Sequence, residues 1–284
     1  MIGRVVFVAC MSVMVVLLFA PTTHAKNKGL AVAPARLEMT VQAGQSSEGS
    51  IMVGNYTDKP LTVNLFVQRF AAVDYTYDFD FSSFDGSWIL FEQPRLTLNP
   101  KEEKKVKFSV NAPDNLASGG HYFALTASAD MSGNGLGRIA RVVSQLYLSV
   151  GGEYKQSGTI GNGSVPFLVY NDKILFTFDA KNTGNIHYTA FFYGHLDGLF
   201  YSQSDQGVNH ILLPGTTRRV GGAVSAPNLP GLYTLTYGYS TDYSKDIVTK
   251  KATILYLPPW SIAALVLLLL AIKWVWQKKK SAKS

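Results

Sequence analysis

Two stretches of this chain carry the same punctuation. Gly54-Asn55-Tyr56-Thr57 leads to Leu98-Asn99-Pro100, then to Ala112-Pro113 and Gly120-His121-Tyr122. Further on, Lys181-Asn182-Thr183-Gly184 leads to Leu213-Pro214-Gly215, then to Ala226-Pro227 and Gly231-Leu232-Tyr233. The prolines of each copy enclose a segment of equal length, and an alternating apolar run follows each Ala-Pro. A unit of roughly 100 residues rich in short strands cannot stack as a solenoid repeat, so the pattern reads as two copies of one β-sandwich.

Alternation supports that reading. Val106-Lys107-Phe108-Ser109-Val110 places apolar residues at every second position, as a strand with one wet face requires. Ser50 to Val53, Leu61 to Phe70, Tyr122 to Ala129 and Ile139 to Val150 complete the first copy. Lys173 to Ala180, His187 to Tyr193, Arg218 to Val224, Gly231 to Ser240 and Ile247 to Tyr256 make the second. Leu30 to Val41 is extended but broken by Pro34, which suits an edge strand that changes direction. Tyr122 and Tyr233 each follow a proline-containing turn, where a tyrosine can bond back across the corner of an immunoglobulin-like sandwich.

The ends are apolar. Arg4, the run from Val5 to Ala20 and Thr23-His24-Ala25 have the form of a cleaved secretory signal over 1–25. From Pro258 to Trp276 the chain is apolar apart from Ser261 and Lys273, with Trp260, Trp274 and Trp276 placed as interfacial anchors. A lysine-rich tail over 277–284 then predicts a cytoplasmic C-terminus by the positive-inside rule. Setting aside Arg4 and the five terminal lysines leaves 20 basic residues against 19 acidic ones, so the high pI reflects the ends and not nucleic-acid binding. The single cysteine, Cys10, lies in the expected signal, so the rest of the chain has no disulfides. Cysteine-free tandem sandwiches suggest a bacterial surface protein.

The expected organisation is therefore all-β. A signal at 1–25 precedes an immunoglobulin-like sandwich over 26–151, with an inserted loop at 71–94. A second sandwich covers 152–257, a transmembrane helix 258–276 and a basic tail 277–284. The protein is placed in the plasma membrane as a single-pass chain with its bulk extracytoplasmic.

Only the first copy carries the insertion. It is aromatic and acidic, and its candidate binding residues are Tyr75, Tyr77, Asp78, Asp80, Phe84, Asp85 and Trp88. Aromatic faces beside carboxylates suit stacking on sugars or anchoring a protein. The bland alternative is that Phe79, Phe81 and Trp88 turn inward to cap the sandwich. Asp78-Phe79-Asp80-Phe81-Ser82 has oxygen ligands at alternate positions but lacks the glycine and glutamate of an EF-hand loop. The histidines beyond the signal show no metal-ligand spacing, and no nucleophile elbow, phosphate loop or zinc-peptidase motif occurs. No metal, no cofactor and no catalytic activity are expected.

Pro34-Ala35-Arg36-Leu37 with Gly44, the Gly54-Asn55 turn, Leu98-Asn99-Pro100 with the strand to Val110, and Ala112-Pro113 to Gly119-Gly120-His121-Tyr122 resemble the N-terminal sandwich of the WxL-interacting proteins. These are Gram-positive surface proteins with two tandem sandwiches and a C-terminal membrane helix. The resemblance implies cell-wall binding by the first sandwich and binding of host matrix or WxL partners by the second. The same motifs resemble the first domain of pilus chaperones. This chain departs from the first family in a shorter second sandwich, and from the second in its membrane anchor and its lack of a basic anchor pair. The expected function is binding or adhesion to cell-wall polymer or an exported protein. The alternative is an assembly factor that acts on surface subunits by strand addition.

Overall fold

The structure is a computed structural model that describes residues 29–76, 78–131, 138–244, 246–261, 264, 266–270, 272 and 273. The expected signal, Tyr77 and the tail lie outside the described residues.

The first sandwich is built from β1 (Leu30–Ala33), β2 (Arg36–Val41), β3 (Ser46–Asn55), β4 (Leu61–Ala72), β5 (Phe79–Ser83), β6 (Ile89–Phe91), β7 (Arg95–Leu98), β8 (Glu103–Asn111), β9 (Gly119–Asp130) and β10 (Ile139–Val150). One sheet has the order β1-β3-β8-β6; the other runs β2-β10-β9-β4-β5, with β7 also on β4. Pro34 breaks the opening segment between β1 and β2. The chain therefore leaves β3 in one sheet and joins β10, in parallel, in the other. Along β8 the alternation seen in the sequence turns Val106, Phe108 and Val110 inward to the core. Burying such a side chain contributes about 1.5–3 kcal/mol.

The second sandwich contains β11 (Gly158–Ser164), β12 (Leu168–Val169), β13 (Lys173–Asn182), β14 (Tyr188–Gly198), β15 (Tyr201–Ser204), β16 (Val208–Leu212), β17 (Thr217–Ser225), β18 (Gly231–Thr241) and β19 (Ile247–Tyr256). Its sheets have the orders β11-β13-β17 and β12-β19-β18-β14-β15, with β16 also on β14. A separate aromatic core lies between them, including Phe176, Phe178, Phe192 and Tyr237.

The asparagine in each repeat is structural. Asn55 is fully buried; its Nδ2 donates to the carbonyls of Lys59, Leu98 and Asn99, and its Oδ1 accepts from the Thr57 N–H. Asn182 does the same in the second sandwich, donating to Ile186 and Leu212 and accepting from the Gly184 N–H. A buried turn must satisfy its backbone groups, and one amide supplies both donor and acceptor.

The expected single-pass placement in the plasma membrane is overturned. Among the described residues no helix is long and apolar enough to cross a membrane. The helical residues described at the C-terminal end lie within 259–273. The apolar character of 258–276 is a property of composition, whereas the length of regular helix depends on the fold.

Candidate binding surface

One strand edge stands open. β10 pairs with β9 along its whole length, from Ile139 opposite Asp130 to Val150 opposite Gly119. On its other side β2 covers only Gln145 to Val150. The crossing chain reaches β10 where the Ser144 Oγ donates to the Pro34 carbonyl at 2.7 Å and the Gln145 N–H to the Ala35 carbonyl at 2.8 Å. Beyond that point, among the described residues, no strand pairs with this second side of Ile139 to Ser144. At about 3.3 Å per residue this is roughly 20 Å of edge. Ala140 and Val142 rest on the core, while Ile139 is 66% exposed and Arg141 is exposed. An unpaired row of N–H and C=O groups flanked by apolar side chains can pair with another chain.

The edge borders a junction between the sandwiches. Phe70, Ala72, Ala124 and Tyr147 on the outward face of the first pack with Leu213 of the second. Polar bonds cross the same seam. The Gly120 N–H donates to the Asn185 carbonyl at 2.8 Å, and the His187 N–H to the Tyr122 hydroxyl at 2.9 Å. That hydroxyl also lies 3.2 Å from His187 Nδ1. Burial pushes both the Tyr122 and Tyr147 phenols up and holds His187 below the ordinary imidazole range. The phenol therefore keeps its proton and can donate it to a neutral ring. Gly119 has a φ of +122°, and a Cβ there would lie 2.5 Å from the Asn185 carbonyl oxygen. Only glycine fits this approach.

The insertion divides between two tasks. Its first part clasps the second sandwich: the Tyr75 N–H donates to the Thr217 carbonyl at 2.8 Å, and the Thr217 N–H donates to Asp74 Oδ1 at 2.7 Å. The exposed Tyr75 ring lies under Arg219, 5.7 Å from centroid to guanidinium carbon. Asp78 sits in a tight turn, its carbonyl accepting from the Val73 N–H. Asp80 is exposed on β5, opposite Ala71. In the second part Phe84 and Trp88 pack on the core, in edge contact with each other at 5.3 Å and with Phe123 at 4.9 and 5.2 Å. Asp85 between them is exposed. The six candidates among the described residues do not converge on one cavity: Tyr75 faces the neighbouring sandwich, while Phe84 and Trp88 cap their own.

No family model and no curated protein matches the sequence. The fold is similar to those of several solved chaperones. The class 5 fimbrial chaperone CfaA is 12% identical, with 81% of this chain and 100% of that one covered and a TM-score of 0.41. The DraB chaperone of E. coli is 10% identical, covering 79% and 98%, at a TM-score of 0.40. The CupB2 chaperone of Pseudomonas aeruginosa is 10% identical, covering 79% and 100%, at 0.37. The resemblance to WxL-interacting proteins rests on the quoted motifs alone.

The insertion stands out in the sequence, whereas the edge of β10 does not. The signal was present in Pro34, which interrupts the opening strand and so limits how much of β10 it can cover. Tyr122 is legible in the repeat but its partner is not: Tyr122 meets His187, and Arg218 Nε donates to the Thr76 carbonyl, only when the two sandwiches are folded.

Proposed function

We propose that the chain is a non-enzymatic assembly factor that binds a partner polypeptide by strand addition along Ile139 to Ser144 of β10. The observation that carries this reading is the half-covered strand: β2 pairs with Gln145 to Val150 and stops. A partner strand placed beyond β2 would extend the six-stranded sheet, with main-chain hydrogen bonds supplying affinity and alternate side chains supplying selection. Ile139, largely in solvent, offers the first apolar contact. The suited partner is an exported subunit that exposes an apolar groove for want of a strand.

The reading is tested with the full chain. Wild type and Ile139→Asp, whose side chain is exposed enough to leave the fold intact, are used to capture partners from the native host. Amide exchange is then followed on the captured complex. Protection confined to 139–144, with capture reduced about tenfold by the substitution, supports strand addition. Equal capture by both chains with 139–144 still exchanging freely sinks it. Sedimentation with purified cell walls and no protein captured would put wall polymer in the partner's place.

A further inference from the structure

Among the described residues, strand β6 has no counterpart in the second sandwich. In the first, β6 lies antiparallel on β8, with Ile89 opposite Val110 and Phe91 opposite Phe108. Ile89 is buried and Leu90 faces outward, so this short strand closes the sandwich at its edge. The second sandwich repeats the framework beneath it. β13 lies on β17 as β3 lies on β8, and Pro100 and Pro113 around β8 recur as Pro214 and Pro227 around β17. Phe108-Ser109-Val110 therefore corresponds to Gly222-Ala223-Val224. There the three-stranded sheet ends at β17, and only residues 205–207 separate β15 from β16.

An apolar groove stands where β6 would be. It measures about 490 Å³, and its walls include Leu175, Phe176, Phe192, Val208, Gly222 and Ala223. This falls within the roughly 300–1,000 Å³ of ligand clefts. The edge above it is partly engaged, since His210 Nε2 bonds the Gly221 carbonyl at 2.8 Å. From Gly222 to Ser225, among the described residues, no strand pairs with the outer side of β17.

We propose that this groove accepts an extended strand of a partner polypeptide with large apolar side chains at alternate positions, seated on Gly222 to Val224 as β6 is seated on β8. The occupant's chemistry is argued from the molecule's own template. Trp88-Ile89-Leu90-Phe91 fills the equivalent place in the first sandwich by turning Ile89 inward and leaving Leu90 out. A strand supplies both things the site lacks: apolar side chains for the cleft and backbone groups for the edge. A small apolar molecule would supply only the first. The proposal stands independently of strand addition at β10.

The probe is a labelled peptide with the sequence of residues 86–93, titrated into the full chain. Saturable binding is expected, weakened about tenfold or more by Leu175→Glu and by Val208→Lys. These side chains are 56% and 38% exposed, so the substitutions reach the groove rim without entering the core; unchanged thermal melting checks that. A scrambled peptide without the alternation should bind about tenfold more weakly as well. Bound peptide should slow amide exchange at 222–225 and leave 139–144 unchanged, which separates this site from the edge of β10. Failure to bind at about 1 mM peptide, or binding that both rim variants retain, would overturn the proposal. Protection at β10 alone would overturn it too. Concentration-dependent self-association of the chain, lost in the same variants, would assign the strand to a second copy and defeat the partner reading.

Discussion

In the first sandwich Gly49 of β3 stands opposite Phe108 of β8, and in the second Phe176 of β13 stands opposite Gly222 of β17. The large and small residues have exchanged strands. A Cβ on Gly49 would lie 2.4 Å from the Phe108 ring, and one on Gly222 would lie 2.6 Å from the Phe176 ring. One phenyl group therefore fills the inter-sheet space in both, delivered from adjacent strands of the same sheet. What the two copies preserve here is packed volume rather than residue identity. The copies differ more at their edges: the first closes β8 with β6, and the second leaves the corresponding side of β17 as a groove.

The exchange makes the most severe test of that equivalence. Phe176→Gly should cost the second sandwich about 3–5 kcal/mol through the cavity it leaves. Gly222→Phe alone should cost about 1–3 kcal/mol or more through overpacking. Together they rebuild the arrangement of the first sandwich, so the double variant should be markedly more stable than the sum of the singles in urea unfolding. Simple additivity would break the comparison.

The paired asparagines sharpen it at the next level. Asn55→Ala and Asn182→Ala should each destabilise by about 2–3 kcal/mol, since each strands buried carbonyls that the amide now satisfies. The loss at Asn55 should be the larger, because its Nδ2 serves three carbonyls and that of Asn182 serves two. Equal losses in thermal unfolding would show that the third contact contributes nothing.

The two tyrosines predict a smaller contrast of kind. Tyr233 points into its own core and donates to the Leu229 carbonyl at 2.8 Å, closing a corner. Tyr122 points outward and meets His187 of the other sandwich. Each Tyr→Phe change should cost about 1 kcal/mol. Only Tyr122→Phe should loosen the junction, seen as greater independence of the two halves in rotational diffusion by NMR. Loosening by Tyr233→Phe instead would reverse the assignment.

Acid should weaken the junction slightly. Burial, with Arg36 assisting and Glu38 and Asp242 opposing, holds His187 below its ordinary value of 6.5. Between the folded-state value and 6.5 the unfolded chain carries the proton and the folded chain does not, so stability rises with pH across that window. It falls as pH drops through 6.5 and levels off once the folded state is protonated. His187→Gln should flatten part of this slope in pH-dependent unfolding. His210, also held low by burial, supplies another part.

These contrasts show how far local pattern carries. The repeated Asn, the Leu-x-Pro corners and the Ala-Pro pairs mark real equivalences, because turn chemistry and buried amide bonding are satisfied within a few residues or by the adjacent strand. The Gly-x-Tyr match misleads. Aligned on Gly-x-Tyr, Tyr122 and Tyr233 read as one feature, yet they face opposite sides of their sheets. Side chains alternate along a strand, so an offset of one residue turns every one of them to the other face. The insertion was legible as an interruption of the repeat, but not its division between a clasp on the neighbour through Asp74 and Tyr75 and a cap through Phe84 and Trp88.

By itself, then, the amino-acid order determined an all-β chain, two related sandwiches, a broken first strand and a first copy longer than the second. Those properties follow from alternation, proline geometry and turn residues, all of which act over short distances along the chain. Only the folded molecule decided, among the described residues, that Ile139 to Ser144 is paired on one side alone, that Tyr122 reaches His187, that β17 borders a groove and that no helix is long and apolar enough to cross a membrane. Each of those depends on which distant strand arrives alongside, in what register, and where it stops, and none of these is encoded in a local period.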